Sequence, residues 1–251
     1  MKSIFFFVML FVATASMGQV PHFLTPQEAV IDTIFIGSPP AYGSLLFAND
    51  MAIYQWGKSI RNSERGRQAV KDADASAQNL CSVFSEAFGY TLSESKTPEI
   101  FKLILYMKED VGTYSTQASK STMRDRPFVL MGESSGVPEQ EKELRNTGSF
   151  VSGHAAIGVA VSMALACINI KRQNELYKRG VDYGLSRAII GMHWMSDIQC
   201  GQLVGSLTFP SLLNNQSFLE QLNRAKEEFR KLSEMQETSY HQVRRLPKGV
   251  D

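Results

Sequence analysis

The stretch Ala155-Ala-Ile-Gly-Val-Ala-Val-Ser-Met-Ala-Leu-Ala-Cys-Ile-Asn-Ile170 decides the fold. It has no charged side chain in 16 residues, so no face of a helix formed here would favour water. A membrane-spanning helix needs ~20 consecutive apolar residues, and this segment is shorter. We therefore predict a helix that is buried on all sides within a globular domain.

Helical periodicity recurs on both sides of this stretch, and no alternating pattern of useful length predicts a strand. The predicted helices cover about residues 50–69 (continuous, or split near residues 62–66), 72–88, 100–119, 155–170, 174–186, 194–213 and 221–235. Residues 131–150 are polar and rich in Gly and Ser, which is typical of a loop. The predicted fold class is all-α, a single-domain helical bundle.

The composition fits one domain and a local binding site. A chain of 251 residues with 43% hydrophobic content can bury one sizeable core. The formal net charge of +1 gives no global attraction to nucleic acid or to a membrane surface, so any basic site is local. We expect a helical domain over residues 47–235, preceded by a Pro- and Gly-rich extended arm (19–46) and followed by a loose tail (236–251).

The N-terminus has the pattern of a secretory signal peptide over residues 1–18. Lys2 is the positive region, Ile4–Val12 the apolar core and Ala13–Gly18 the small-residue exit. We predict cleavage between Gly18 and Gln19; a cut after Ala15 and a retained membrane anchor are the alternatives. The expected location is the periplasm or the exterior, with no membrane span after signal removal.

Three cysteines, Cys81, Cys167 and Cys200, are too few for a disulfide scaffold in a domain of this size. Cys167 and Cys200 lie in apolar helical stretches and fit the role of small buried hydrophobes. The sequence leaves one optional disulfide open.

Ser152-Gly153-His154 opens the apolar stretch. Serine is a good N-cap, glycine permits close approach of a ligand to the backbone, and a histidine in the first turn lies where the helix dipole attracts an anion. Taken alone, this segment is equally consistent with an ordinary capped helix.

Ser186-Arg187-Ala-Ile-Ile-Gly-Met-His193-Trp-Met-Ser-Asp197 places a cation, a histidine and a carboxylate on one short segment. Gly191 predicts a helix break between Arg187 and His193. His193 and Asp197 would share a face if helical, and the carboxylate could then fix the imidazole tautomer. The alternatives are a surface His–Asp pair and, less well supported, metal binding, because no further ligand occurs at suitable spacing.

Lys120 and Arg126-Pro127 precede these motifs and would individually be ordinary surface cations. The order Lys…Arg-Pro…Ser-Gly-His…Ser-Arg…His…Asp resembles the signature of the type 2 phosphatidic acid phosphatase superfamily, which vanadium haloperoxidases share. Within it, the chain resembles the bacterial class A non-specific acid phosphatases over roughly residues 32–230. Two departures occur. The Lys120–Arg126 spacing is one residue short, which we attribute to a deletion, and Val151 replaces a proline.

The resemblance implies a metal-free, cofactor-free acid phosphatase that acts on phosphate monoesters such as nucleotides, sugar phosphates and aryl phosphates. His193 would attack phosphorus with Asp197 orienting it, and His154 would protonate the leaving alcohol. The implied phosphate contacts are Lys120, Arg126, Ser152, Gly153 and Arg187, and Glu109 is a possible pocket residue. The class also implies a homodimer or larger homo-oligomer.

Three other functions fit parts of the pattern. Lipid phosphate phosphatases of the same superfamily usually carry several membrane spans, and none follows the predicted signal here. Vanadium haloperoxidases are typically much larger, although their vanadate pocket is nearly the same. A helical binding protein with an inactive site disagrees with the intact histidine, arginine and aspartate motifs.

Overall fold

The computed structural model describes residues 22–25, 28 and 33–244, without the side chains of residues 33–34, 114–121 and 237–244. The predicted signal peptide lies outside the described residues. Within them, the structure is helical and contains no strand, which confirms the predicted fold class. The elements are α1 (Thr33–Ile36), α2 (Leu45–Ser59), α3 (Glu64–Lys71), α4 (Ala77–Phe88), α5 (Pro98–Thr122), α6 (Pro127–Leu130), α7 (Pro138–Leu144), α8 (Gly153–Ile168), a 3₁₀ turn (Ile170–Arg172), α9 (Gln173–Ile189), α10 (Met195–Leu213) and α11 (Gln216–Arg244).

Helix α8 is the centre of the bundle, as its uncharged sequence predicts. It packs against α5, α9, α10 and α11. Its alanines at positions 155, 156, 160 and 164 are all buried, as are Val161 and Leu165. Small side chains let the neighbouring helices approach closely, so the first turn of α8 lies deep in the domain rather than at its rim.

Two segments differ from the sequence-based predictions. Residues 138–144, predicted as loop, form α7, because Pro138 at the first helical position and Glu139 and Glu141 in the first turn favour a helix start. Helix α11 continues to Arg244, past the predicted end at residue 235 and into the predicted tail. Within α11, Arg230 pairs with Glu227 and Glu234 one turn away on either side, which stabilises the solvent-exposed face of the helix.

The N-terminal arm is tied to the body of the domain. Asp110 on α5 accepts hydrogen bonds from the backbone N–H groups of Phe23 (3.0 Å) and Leu24 (3.3 Å), and both apolar side chains are buried in the main core. Later in the arm, α1 forms a single helical turn.

The three cysteines are free thiols, so the optional disulfide is not formed. Among the described residues, no helix is long and apolar enough to cross a bilayer.

Glycines set the spacing between α8 and its neighbours. A Cβ at Gly205 on α10 would lie 2.3 Å from the carbonyl oxygen of Ala156, and one at Gly158 would lie 2.8 Å from that of Gly180 on α9. These contacts are with backbone atoms, which cannot rotate away. The helices therefore pack at a distance that only glycine permits.

We expect Gly205→Ala to lower the free energy of unfolding by ~1–3 kcal/mol, because the added methyl group forces α8 and α10 apart. Gly112→Ala is the matched control, since a Cβ there meets only Ile157 Cδ1 at 3.8 Å and alanine favours a helix by up to ~1 kcal/mol. Urea unfolding followed by circular dichroism measures both. Equal effects of the two substitutions would contradict the packing argument.

Candidate active site

One cavity of about 610 Å³ opens at the first turn of α8. Five of the residues predicted for the site line it together: Arg126, Gly153, His154, Arg187 and His193. The rest of the wall comes from α5, α7, α8 and the segments that follow α3 and α7. These lining residues are Ala73, Asp74, Ala75, Gly112, Gln140, Glu143, Leu144, Gly148, Val151 and Ile157. The cavity thus has two arginines and two histidines inside and a mixed polar and apolar rim.

The turn between α9 and α10 brings Arg187 and His193 together. Gly191 has φ +76°, a left-handed conformation that ends α9 as predicted. The N–H groups of Met192 and His193 both donate to the carbonyl oxygen of Arg187, at 2.9 and 3.3 Å. This turn places the His193 imidazole beside the last turn of the helix that carries Arg187.

His193 has a defined tautomer. Its Nδ1 lies 2.8 Å from the carbonyl oxygen of Ser149, which can only accept, so Nδ1 carries the hydrogen and Nε2 keeps a lone pair. Nε2 receives a hydrogen bond from Arg126 Nη1 at 3.1 Å. Burial lowers the pKa of His193 to about 4, with Arg126 adding to the effect and Asp197 opposing it. The imidazole is therefore a neutral base over a wide pH range.

Asp197 lies behind His193 rather than beside it on a helix. His193 precedes α10, Trp194 is the N-cap, and Asp197 Oδ2 accepts from the Trp194 N–H at 2.8 Å. The same oxygen is 3.7 Å from His193 Nδ1, and Oδ1 accepts from Arg124 Nη1 at 2.5 Å. The two side chains come together through helix capping, and the Ser149 carbonyl is the direct partner of Nδ1.

Arg187 is 2% exposed, and its Nε and Nη1 atoms have no hydrogen-bond partner. Burial, together with the charge of Arg126, lowers its pKa to about 9. Leaving charged donors buried and unsatisfied costs several kcal/mol. Donors left without partners at a cavity wall can bind an anion.

Arg126 lines the same cavity but is fully engaged by the protein. Its guanidinium donates to the carbonyl oxygens of Leu144 (3.2 Å), Gly148 (3.0 Å) and Met192 (3.1 Å), and to Thr147 Oγ1 (3.0 Å). Burial lowers its pKa to about 10. Arg126 therefore organises the loop after α7 and also presents Nη1 to the cavity beside His193.

His154 occupies the first turn of α8, as predicted, and its tautomer is also defined. Nε2 donates to the carbonyl oxygen of Ala73 at 3.0 Å, which leaves Nδ1 as the nitrogen available to a ligand. The ring stacks on Tyr183 with centroids 5.6 Å apart. Burial, then the charge of Arg187, lowers the pKa of His154 well below its ordinary value. Neither Ala73 nor Tyr183 was singled out by the sequence analysis.

The other predicted contacts differ in their placement. Ser152 is buried, caps α8 by accepting from the Ala155 N–H (3.4 Å), and donates its own N–H to the Asp197 carbonyl (3.0 Å). Glu109 pairs with Lys108 on α5 and is not among the described residues that line the cavity. The backbone of Lys120 lies in α5, and its side chain falls outside the described part of the chain.

Comparisons with known proteins show the family of the chain. Residues 103–217 match the PAP2 superfamily. The chain is 40% identical over 234 residues to a non-specific acid phosphatase of Providencia stuartii, covering 88% of this chain and 94% of that protein. It is 34% identical over 226 residues to a non-specific acid phosphatase of Salmonella typhimurium, covering 90% of each. An acid phosphatase of Zymomonas mobilis is 28% identical over 202 residues, covering 79% of this chain and 75% of that protein.

We expect the free energy of unfolding to fall as the pH is lowered from 6.5 towards 4. The pKa of His193 is about 4 in the folded protein and about 6.5 in an unfolded chain, so the unfolded state binds the proton first. The contribution of the neutral imidazole is fully present above pH ~6.5 and is lost as the pH falls through its folded pKa.

Urea midpoints of the wild type and His193→Asn at pH 7 and pH 4.5 measure this effect. The asparagine cannot titrate, so its midpoint should fall less between the two pH values. An equal fall in both proteins would show that His193 does not carry the predicted proton linkage.

Proposed function

We propose that this chain, which belongs to the PAP2 superfamily and is an acid phosphatase, hydrolyses phosphate monoesters through a phosphohistidine. The observation that carries this proposal is the Arg187 guanidinium, which is buried with two unsatisfied nitrogens at the wall of a cavity that also holds two histidines. A phosphoryl group has the negative charge and the pairs of oxygens to which a planar guanidinium can donate two parallel hydrogen bonds.

The cavity supports binding of phosphate without a metal. Arg187 supplies two free donors, Arg126 supplies Nη1, and the start of α8 at Gly153 contributes the partial positive charge of a helix N-terminus. Transfer of a phosphoryl group requires stabilisation of negative charge on its equatorial oxygens. Lys120 is a further proposed contact on the basis of the sequence pattern.

His193 Nε2 is the proposed nucleophile. Arg126 Nη1 donates a hydrogen bond to this nitrogen. A phosphoryl oxygen would accept this hydrogen bond in place of Nε2. The lone pair of Nε2 would then be free to attack phosphorus. As the Nε2–P bond forms, positive charge develops on the ring, and the Ser149 carbonyl and the Asp197 carboxylate stabilise it from the Nδ1 side.

His154 Nδ1 is the proposed proton donor to the leaving oxygen. Burial and, after it, the charge of Arg187 disfavour a protonated His154 and lower its pKa. Binding of an anionic phosphoryl group opposes this effect and raises the pKa, so the proton is taken up with the substrate. After the alcohol leaves, neutral His154 accepts a proton from water, which attacks phosphorus and releases His193 and phosphate. The need for a protonated His154 favours turnover at acidic pH.

The further parts of the proposal concern the setting of the enzyme. The substrates are small phosphate monoesters read mainly through their phosphoryl group, including nucleotides, sugar phosphates and aryl phosphates. The protein is exported after removal of residues 1–18 and assembles as a homodimer or a larger homo-oligomer. No nucleic acid or membrane partner is proposed.

Two arginine variants test the assignment of Arg187 as the free phosphate contact. Arg187→Met should lower kcat/KM for p-nitrophenyl phosphate by about 10²–10³-fold without lowering the unfolding temperature, because it removes an unpaired buried charge. Arg126→Met should lower both kcat/KM and the unfolding temperature, because it leaves the carbonyl groups of the loop after α7 without their hydrogen-bond donor. An Arg187→Met protein that is less stable than Arg126→Met, or that keeps activity within threefold of wild type, would contradict the assignment.

Rapid-quench experiments on reactions run in excess EDTA test the roles of the two histidines and the absence of a metal requirement. His193→Ala should form no acid-labile ³²P-labelled phosphoenzyme. His154→Ala should still form it from p-nitrophenyl phosphate, whose leaving group needs no proton, and should be slower with alkyl phosphates. A labelled His193→Ala protein, or wild-type turnover that requires added zinc or magnesium, would be incompatible with the mechanism.

A further inference from the structure

A cluster of buried charges lies directly behind His193. Arg124 donates from Nη2 to Asp50 Oδ2 at 2.7 Å and from Nη1 to Asp197 Oδ1 at 2.5 Å. Ser196 joins the cluster, since its Oγ donates to Asp50 Oδ2 at 2.6 Å and accepts from Arg124 Nη1 at 2.8 Å. The three charged residues are 1%, 6% and 0% exposed for Asp50, Arg124 and Asp197. They come from α2, the segment between α5 and α6, and α10.

Arg124 is hydrogen-bonded to both residues that carry an acceptor for the Nδ1 hydrogen of His193. Its side chain binds the Asp197 carboxylate, and its backbone carbonyl accepts from the Ser149 N–H at 2.9 Å. The Ser149 carbonyl, 2.8 Å from Nδ1, is the acceptor in use, whereas Asp197 Oδ2 stands at 3.7 Å. The position of one residue thus sets the distances of both acceptors.

The charges explain why Asp197 stays at that distance. Asp197 Oδ1 is bound to Arg124 and Oδ2 to the Trp194 N–H, so both oxygens are held away from the imidazole. Burial would raise the pKa of Asp197, but His193, Arg124 and the Trp194 N–H together lower it. The carboxylate is therefore ionised and largely neutralised by Arg124. Without Arg124 its charge would act fully on His193.

We propose that Arg124 is a positioning residue for the nucleophile. It keeps the Ser149 carbonyl as the partner of Nδ1 and restrains Asp197, so that His193 stays neutral with its lone pair on Nε2. The proposal rests on the proposed function for its kinetic consequences, but its effect on the His193 tautomer and titration is independent of turnover.

The groups that face His193 define the expected pH effect. Arg126, Arg187 and His154 face it from the cavity, and Asp197, Arg124 and Asp50 stand behind it. The cavity groups stay the same when Arg124 is replaced. Any change in the titration of His193 then comes from the cluster behind it.

The test uses Arg124→Met combined with Asp50→Asn. This pair keeps the formal charge of the Asp50–Arg124–Asp197 cluster at minus one, and it does not leave two buried carboxylates without a cation. Released from Arg124, Asp197 should approach Nδ1 and stabilise the imidazolium. We expect the acidic limb of kcat/KM to move up by about one pH unit or more, kcat to fall about tenfold or more, and inhibition by inorganic phosphate to stay within threefold. ¹⁵N NMR of the imidazole should show the same rise in the pKa of His193.

Asp50→Asn alone is the control, because Arg124 keeps its bond to Asp197 and the acidic limb should stay within about 0.3 pH unit of wild type. If the double variant fails to fold, Arg124→Lys, which cannot reach both carboxylates, should shift the His193 titration in the same direction. An unchanged titration in a folded Arg124 variant would overturn the proposal. The NMR titration measures the pKa of His193 directly, so it tests the role of Arg124 independently of phosphatase activity.

Discussion

The turn from α9 to α10 is the constraint on which the rest of the site depends. The Arg187 carbonyl accepts from two N–H groups in this turn, so Arg187 and His193 cannot move independently. Other segments bond to the backbone of the same turn. Phe128 donates its N–H to the Gly191 carbonyl (3.3 Å), Gly136 to that of Ile190 (2.7 Å), and Arg61 Nε to that of Ile189 (2.7 Å). All of these acceptors are main-chain carbonyls, so the backbone of the turn, rather than its side chains, holds the segment between α2 and α3, helix α6 and the loop before α7.

Electrostatic repulsion inside the cavity opposes folding and favours ligand binding. Burial and mutual repulsion lower the pKa values of Arg187 and His193, and those of Arg126 and His154 are lowered chiefly by burial. These charges can be held at close range only because the surrounding helices pack tightly through Gly158, Gly201 and Gly205. An anionic ligand removes the repulsion, so the same groups that weaken the free protein strengthen the complex. In the proposed mechanism, this electrostatic cost to folding contributes to the affinity for a phosphoryl group.

The helices could be predicted from the sequence because their signals are local. The uncharged run that became α8 and the Gly191 break each depend on a few neighbouring residues. The cation and histidine motifs are also short and local, and their order along the chain indicated which side chains share the cavity. The hydrogen-bond acceptors of the two histidines could not be predicted. Ser149 and Ala73 act through carbonyl groups that every residue possesses, so nothing in their identity indicates the role. In the sequence, Arg124, two residues before Arg126, resembles any surface cation. Its role depends on Asp50 and Asp197, which are distant in sequence and contact it only in the fold.

Those two carbonyl groups also distinguish the histidines from each other. In His193 the carbonyl of Ser149 holds the hydrogen on Nδ1, so Nε2 faces the cavity. In His154 the carbonyl of Ala73 holds it on Nε2, so Nδ1 is the nitrogen left for a ligand. Both rings are buried beside cations and have lowered pKa values, so charge alone would make them equivalent. Asp197 and the Arg124 cluster stand behind His193, whereas His154 has an aromatic ring, Tyr183, at its face. In the proposed mechanism, positive charge formed during attack is therefore better stabilised on His193, and a proton is more readily given up by His154. The groups behind each ring support the proposed division into nucleophile and acid.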